Sequence, residues 1–341
     1  MSAAADMDAC RAAIRTGSLS FHAASKLLPA HVRDPALVLY AFCRLADDAV
    51  DEGQNPVEAV LHLQDRLDRA YADRPQDAAI DRAFARMIAR HQMPRALPDA
   101  LLEGLAWDAE GRRFSTLSGV RDYSARVAAV VGAMMCVLMG VRDRHRLARA
   151  CDLGLAMQLT NIARDVGEDA RRGRIYLPLD WFTESGISPQ AFLRDPQPLP
   201  EISAMTARLL AEADRLYQRA EPGISALPLS CRPGIFAART IYGGIGGVIR
   251  AQGCDSITRR AVTSRGRKLG WLGTSGLRAG LSMVLPQMAT LYARAQPECD
   301  FLVRAATQET ESFSRSETLI TALARLRAHD IKSRGLDRRS A

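Results

Sequence analysis

Two stretches of this 341-residue chain carry acidic residues at helical spacing. The first reads YAFCRLADDAVD, and on a helix its charged residues fall at i, i+3, i+4 and i+7, which is one face: Arg44, Asp47, Asp48 and Asp51. Such a stripe can be an ordinary solvated face. Because residues 36–46 are apolar except for Arg44, this helix is instead predicted to be buried nearly all round, and buried carboxylates need a cation or a strong donor.

The second stretch reads MQLTNIARDVGEDARRGRIYLP and closes another mostly apolar helix, which begins near Leu147. Its polar residues again form one stripe, with Arg164 beside it: Gln158, Asn161, Asp165 and Asp169. Asparagine is a poor helix former and Gly167 a worse one, so local helix propensity is sacrificed here. Conflicts of this kind concentrate at functional sites.

Two acidic stripes on two buried helices predict a facing pair across a cavity. Carboxylate oxygens suit hard divalent cations, and Mg²⁺ commonly completes its shell with water and substrate phosphate oxygens. Metal and arginine together can stabilise diphosphate as a leaving group. The apolar helices would form a dry pocket for a long hydrocarbon and a carbocation, which aromatic faces can steady.

The elements that must position these residues are predicted to be helices throughout, because 48% of the chain is hydrophobic, 6% is aromatic and breaker residues divide it into helix-sized segments. A buried helix is expected over Val127–Val141, whose 15 uncharged residues are too few to span a membrane. Proline interrupts residues 173–200, which predicts a long loop with one short helix. Helical spacing resumes over 202–219, 235–251, 277–295 and 312–329.

Composition also narrows the functional class. The net charge of +8 comes from arginines spread along the chain, so we expect no nucleic-acid partner but an affinity for small polyanions and anionic membranes. Seven cysteines without a CxxC pair indicate a reducing compartment rather than disulfides or zinc. The first residues lack a signal-peptide pattern, so a cytoplasmic location is expected.

The two motifs make the chain similar to a known family. LTNIARDVGEDARRGRIYLP and YAFCRLADDAVD resemble the paired signatures of the squalene and phytoene synthases, the head-to-head trans-prenyltransferases, and weaker matches extend over roughly residues 15–270. The resemblance implies an all-α, isoprenoid-synthase-type helical bundle around a central cavity. We expect one domain over residues 1–332 and a disordered tail over 333–341.

The resemblance also implies roles for individual residues. It assigns metal ligation to Asp47, Asp51, Asn161, Asp165 and Asp169. It assigns diphosphate binding to Ser18, Ser20, Arg44, Gln158, Asn161 and Arg164, and it adds Tyr123 and Tyr242 to the four aspartates as the catalytic set. The serines could equally cap a helix, and the tyrosines could be core residues with one satisfied hydroxyl.

Three features depart from the family pattern or lack a role in it. Many relatives carry a Tyr-x-Tyr pair, but here Tyr123 is followed by Ser124 and Ala125. Asp108, in the basic segment WDAEGRRF, has no assigned role. The segment GGIGG follows no predicted strand, so we interpret it as room for a substrate chain inside a helix rather than as a phosphate loop.

The activity implied is the condensation of two geranylgeranyl diphosphates to phytoene through a cyclopropyl (prephytoene) diphosphate, with Mg²⁺ or Mn²⁺ and without NADPH, in carotenoid biosynthesis. One alternative is a squalene or dehydrosqualene synthase acting on farnesyl diphosphate. Another is a non-catalytic assembly factor, against which both intact acidic motifs argue. We also expect peripheral membrane association, with Arg259, Arg260 and Trp271 among the candidate contacts. Substrate chain length, the final base, the number of metals and the oligomeric state remain open.

Overall fold

The computed structural model describes residues 2–17, 23–51, 55–282 and 288–307, and within those ranges it contains helices and turns but no strand. The first seven α-helices are α1 (Ala3–Gly17), α2 (Ala30–Asp51), α3 (Pro56–Tyr71), α4 (Ala79–His91), α5 (Ala96–Ala109), α6 (Leu117–Ser124) and α7 (Val130–Leu138). They are followed by α8 (Arg144–Arg171), α9 (Leu179–Glu184), α10 (Pro189–Arg194), α11 (Pro200–Ser225), α12 (Arg232–Ala251), α13 (Arg265–Leu281) and α14 (Asp300–Thr307). The predicted all-α class is confirmed.

Helix α8 lies at the centre of the bundle. The Asp143 side chain caps its first turn by accepting from the backbone N–H groups of His145 and Arg146. The 28 residues of α8 pack most extensively against α11, and they also contact α7, α12 and α14. The Thr160 hydroxyl lies 3.1 Å from the Tyr217 hydroxyl, so a buried polar pair links α8 to α11.

The buried side chains form one continuous hydrophobic core that runs from Cys10 to Ala306. Within the described ranges, no helix is both long enough and apolar enough to cross a membrane. The single domain expected over residues 1–332 stays a prediction, because residues 308–341, with the helix expected over 312–329 and the expected tail, lie outside the described residues.

A π-helical turn, Ala125–Ala129, joins α6 to α7, where the apolar spacing predicts one continuous helix over Val127–Val141. A close backbone approach is found at this place. A Cβ atom on Gly154 of α8 would lie 2.5 Å from the Ala129 Cα atom, and one on Gly132 would lie 2.6 Å from the Ala150 carbonyl oxygen. Glycine therefore lets α8 lie directly against the π turn and α7.

Helix α2 begins at Ala30 and continues through Pro35, although proline removes one helical hydrogen bond. Two predicted helix extents differ from the structure. The helix predicted over 277–295 is wrong: α13 ends at Leu281, and a 3₁₀ turn follows at Ala289–Tyr292. The apolar spacing there runs across Pro286, and spacing alone does not register a missing N–H group. Residues 173–200 hold two short helices, α9 and α10, rather than one.

The GGIGG segment lies inside α12, where Gly244 serves helix packing. A Cβ atom on Gly244 would lie 2.2 Å from the Trp271 ring, which comes from the neighbouring helix α13. The cavity wall includes Tyr242 but not Gly243–Gly247 among its residues. The interpretation of these glycines as room for substrate is therefore wrong, and Gly244 instead admits a tryptophan ring.

Candidate active site

A cavity of about 530 Å³ lies inside the bundle, a size typical of small-molecule sites. Its walls come from α2, α5, the π turn, α7, α8, α11 and α12. At one end, here called the proximal end, the wall includes Arg44, Asp47, Asn161 and Arg164; at the other, the distal end, it includes Arg146 and Leu227. Along α8, the 15 positions from Arg146 to Asn161 correspond to about 22 Å at 1.5 Å per residue.

Helix α2 presents its charged residues at the proximal end. An Arg44 Nη atom lies 2.5 Å from the Asp48 carboxylate and another lies 3.6 Å from that of Asp47. The Asp47 side chain is 54% exposed, so the predicted burial of this acidic stripe is wrong. The apolar side of α2 packs into the core while the charged side opens to solvent. Asp51 is the last residue of α2, and its side chain lies outside the described residues.

On α8, Asp165 lies between two arginines. The Arg164 and Arg260 guanidinium groups approach its carboxylate to 2.6 and 2.8 Å, and the Asp165 side chain is 16% exposed. Burial acts to raise the pKa of Asp165, but hydrogen bonds from Arg164 and Arg260 outweigh it and lower that pKa. Asp165 is therefore ionised and neutralised by protein side chains.

Asp169, one helical turn further along α8, has a different environment. Burial, and after it the neighbouring Asp165 carboxylate, raise the pKa of Asp169 from 3.8 to about 7, while Arg174 opposes the shift. Asp165 and Asp169 lie beyond the α8 residues that line the cavity, and Asp169 borders a smaller pocket beside Tyr176. Asp169 is therefore ionised less readily than Asp165.

The donor set at the proximal end fits a divalent cation. Carboxylate and amide oxygens are the ligands that Mg²⁺ and Mn²⁺ prefer, and Asp169 carries a carboxylate that burial leaves poorly neutralised. Within the described ranges, no three acidic, histidine or cysteine side chains converge closely enough to form a complete site by themselves. A cation bound here would therefore take further ligands from phosphate oxygens and water.

The loop that carries Arg260 is held against α8 at Gly167. The Gly167 N–H donates to the Ser256 carbonyl at 3.0 Å, and the Arg171 guanidinium donates to the Ile257 carbonyl at 2.5 Å. A Cβ atom on Gly167 would lie 2.7 Å from the Ser256 oxygen. Gly167, which lowers helix propensity, therefore gives the loop room to approach and brings Arg260 to Asp165. No sequence motif near Arg260 indicates this pairing.

Tyr123 belongs to a hydrogen-bonded group at the cavity wall. Burial, and after it the Asp108 carboxylate, raise the pKa of Tyr123 well above its usual value. The Tyr123 hydroxyl donates to one Asp108 carboxylate oxygen at 2.8 Å, and the Tyr176 hydroxyl donates to the other at 2.7 Å. The two tyrosine rings stack with centroids 5.1 Å apart. Asp108 thus fixes both hydroxyls. Tyr176 is part of the GRIYLP segment, but its sequence gives no sign that it meets Asp108.

The remaining predicted residues fall as follows. Tyr242, Gln158 and Asn161 line the cavity, and the Asn161 amide lies 3.4 Å from the Gln158 carbonyl oxygen. Tyr40 also lines the wall, and burial raises its pKa. Ser18 and Ser20 lie outside the described residues. The structure therefore gathers Arg44, Asp47, Tyr123, Gln158, Asn161, Arg164 and Tyr242 around one cavity and adds Asp108 and Tyr40, while Arg260 pairs with Asp165 beyond the cavity wall.

Sequence comparisons relate this chain to one protein family and to several named proteins. Residues 14–267 match the profile of the squalene/phytoene synthase family. The chain is 61% identical over 340 residues to the phytoene synthase of Cereibacter sphaeroides, which covers 97% of this chain and 96% of that protein. It is 46% identical over 274 residues to the 15-cis-phytoene synthase of a Paracoccus species, with 77% of this chain and 88% of that protein covered.

Solved structures show the same architecture. A dehydrosqualene synthase in complex with a ligand superposes with a TM-score of 0.75 at 27% sequence identity, covering 82% of this chain and 98% of that one. The squalene synthase HpnC of Alicyclobacillus acidocaldarius gives a TM-score of 0.67 at 26% identity, covering 73% and 94%. The predicted isoprenoid-synthase-type helical fold is confirmed.

Proposed function

Because the chain belongs to the squalene/phytoene synthase family of prenyltransferases, we propose that it condenses two geranylgeranyl diphosphates head to head to phytoene, in carotenoid biosynthesis. The intermediate is a cyclopropyl (prephytoene) diphosphate. The observation that carries this proposal is a mostly apolar cavity whose proximal end holds Arg44, Asp47, Asn161 and Arg164. One end suits a diphosphate and the remainder suits a prenyl chain.

A C20 chain suits the dimensions of the cavity. The distance along α8 from Asn161 to Arg146 is about 22 Å, which accommodates an extended geranylgeranyl chain with its diphosphate at the proximal end. The names of the relatives that are 61% and 46% identical to this chain support the same choice, whereas the dehydrosqualene synthase is 27% identical.

Divalent cations, Mg²⁺ or Mn²⁺, would be held by Asp47, Asp51, Asn161, Asp165 and Asp169. When bound, such a cation supplies positive charge that stabilises the departing diphosphate. The chain's own diphosphate donors would be Arg44, Arg164 and Gln158, which line the cavity, together with Ser18 and Ser20. Arg164 now pairs with Asp165, so substrate binding would exchange one partner of this arginine for a phosphate oxygen.

The apolar walls exclude water from the reacting carbons, so the carbocations that follow diphosphate departure are not hydrated. Tyr123 and Tyr242 both line the cavity wall. The Tyr123 ring stacks on Phe114 and Tyr176, so the ring that would stabilise positive charge is that of Tyr242. Asp108 would act as a positioning residue, because it receives the hydroxyls of Tyr123 and Tyr176 and so fixes both rings. The reaction would end by proton loss, without hydride from NADPH.

The protein would work in the cytoplasm at an anionic membrane surface, with no nucleic-acid partner. A C20 substrate and a hydrocarbon product must both be exchanged with a bilayer, and the net charge of +8 favours anionic headgroups. Arg260 and Trp271, two of the membrane contacts predicted from the sequence, are engaged within the protein. Arg260 pairs with Asp165 and Glu168, and the Trp271 ring packs on Gly244.

The substrate is tested by offering the purified protein labelled C15 and C20 diphosphates, separately and in competition, and identifying the hydrocarbon formed. We expect turnover of geranylgeranyl diphosphate to phytoene and little turnover of farnesyl diphosphate. Efficient conversion of farnesyl diphosphate alone would refute the assignment as a phytoene synthase and support the farnesyl-dependent alternative. Absence of turnover with either substrate, with the fold intact, would favour the assembly factor.

A further inference from the structure

Four large apolar side chains are exposed around the distal end of the cavity. The exposed fractions are 56% for Leu229, 52% for Leu281, 63% for Met288 and 62% for Tyr292. Exposed apolar residues scattered singly are normal in soluble proteins, but a group of them marks an interaction site. The contacts of Arg232, Arg149 and His145 show that these four belong to one end of the molecule.

Arg232 joins the segments that carry two of them. Its guanidinium donates to the Leu227 carbonyl at 2.9 Å and to the Ser282 carbonyl at 3.2 Å. Leu229 follows Leu227 by two residues, and Leu281 directly precedes Ser282. Leu227 itself lines the distal end of the cavity, so both exposed leucines lie beside that end.

Arg149 and His145 place the other two at the same end. The fully buried Arg149, which also lines the cavity, donates to the Thr290 carbonyl at 2.5 Å. The His145 and Tyr292 rings meet edge to face with centroids 5.2 Å apart. The turn that carries Met288 and Tyr292 is therefore held on the first turns of α8. We call Leu229, Leu281, Met288 and Tyr292 the distal apolar surface.

The charge around this surface is positive. Arg144 and Arg294 are exposed and Arg146 is half-buried. The nearby acidic groups are engaged, because Asp143 caps α8 and Glu221 pairs with Arg239 and Arg278. Leucine, methionine and tyrosine side chains surrounded by arginine match the interface of an anionic bilayer, where apolar groups enter the acyl boundary and arginines meet headgroups.

We propose that the distal apolar surface is the face by which this protein docks on an anionic membrane, an inference that rests on the proposed function. This orientation directs the distal, hydrocarbon end of the cavity to the bilayer and keeps the proximal, diphosphate end in water. An apolar product is then made next to the phase that dissolves it. Helix α13 runs about 25 Å from Arg265 to Leu281, so the face with Arg260 and Val262 lies at the opposite end.

Full-length protein is tested for co-sedimentation with phosphatidylcholine vesicles that contain phosphatidylglycerol, at low salt. The test variant carries Leu229→Ser with Leu281→Ser, and the matched control carries Val262→Ser, which alters a 77%-exposed residue at the opposite end. We expect vesicle binding to fall about tenfold or more in the double variant, since two apolar side chains leave the bilayer. The control should bind like the unaltered protein, and added salt should weaken binding.

Turnover of detergent-dispersed geranylgeranyl diphosphate should be equal in all three proteins. This assay tests the proposed function separately from docking. If the unaltered protein shows no turnover, the proposed function is refuted, and docking is still decided by the sedimentation experiment. Equal vesicle binding by the double variant, loss of binding in the Val262→Ser control, or no binding of the unaltered protein would overturn the proposal. A double variant that changes the molecular mass in solution instead of vesicle binding would assign the surface to a second copy of the chain.

Discussion

At the scale of single residues, two carboxylates one turn apart on α8 are neutralised differently. Asp165 has the Arg164 and Arg260 guanidinium groups within 2.8 Å, and its pKa is lowered. Burial and the Asp165 charge raise the pKa of Asp169 to about 7. In the metal-free protein, negative charge on Asp169 is therefore a cost that a bound cation would remove.

This difference predicts the stability of the Asp169→Asn variant. The pKa of Asp169 is higher in the folded chain than its ordinary 3.8, so the folded state binds the extra proton. Its contribution to the free energy of unfolding is present below about pH 4 and is lost as the pH rises to about 7. With chelator at pH 8, the free energy of unfolding of Asp169→Asn should be about 1–3 kcal/mol higher than that of the unaltered protein, and this difference should vanish near pH 4.

Urea unfolding across this pH range provides the measurement, and Asp165→Asn is the matched control. That variant loses two arginine partners, so it should be less stable than the unaltered protein at neutral pH. Both variants should lack prenyltransferase activity. A less stable Asp169→Asn protein at pH 8 would contradict the environment described for this carboxylate.

Asp108 gives a second prediction at the residue scale. In Asp108→Asn, an amide nitrogen, which donates, replaces one of the two carboxylate oxygens, so one of the Tyr123 and Tyr176 hydroxyls loses its acceptor. We expect kcat to fall by about 10²-fold with KM nearly unchanged, because the cavity keeps its shape while the Tyr123 ring loses its fixed position. Tyr176→Phe, which keeps the ring and removes one donor, should lose less. Steady-state kinetics with unchanged kcat in Asp108→Asn would remove this residue from the reaction.

At the scale of helices, the approach of a loop to α8 depends on one glycine. Gly167→Ala adds a Cβ atom 2.7 Å from the Ser256 oxygen, which must push the Arg260 loop away. Helix propensity alone would make the alanine variant more stable by about 1 kcal/mol. We expect the variant instead to lose stability and activity, because the displaced loop outweighs that gain.

Gly247→Ala, in the interior of α12, is the control, since a Cβ atom there meets nothing within 4 Å. It should hold or raise the melting temperature, whereas Gly167→Ala should lower both the melting temperature and kcat/KM. Equal effects of the two substitutions would show that the loop contact at Gly167 is unimportant.

The helices also mark what sequence patterns can reveal. Residues three and four apart share a helix face, so the cavity positions of Arg44, Asp47, Gln158 and Asn161 followed from spacing and family resemblance. The pairing of Asp165 with Arg260 spans 95 positions, and no local pattern encodes it. The sequence likewise did not predict the solvent exposure of Asp47. The apolar residues of α2 indicate which side of the helix is buried, but not which of its charged residues lie where the cavity opens to solvent.

At the scale of the whole molecule, the two ends of the cavity differ. Arg44, Asp47 and Arg164 line the proximal end, while the distal end, whose wall holds Arg146 and Arg149, adjoins exposed leucine, methionine and tyrosine. In the proposed reaction, the diphosphate that must ionise and the hydrocarbon that must leave would therefore be handled at opposite ends. This separation follows from α8, which lines the cavity along its length, and could not be derived from the helix pattern of any one segment.

The most direct test combines substrate, metal and cofactor in one assay. Purified protein is incubated with geranylgeranyl diphosphate and Mg²⁺ or Mn²⁺, without any nicotinamide, and the hydrocarbons are extracted and identified. The account predicts phytoene as the product and complete loss of turnover when a chelator is added. A strict NADPH requirement for hydrocarbon release, or turnover that survives chelation, would contradict it.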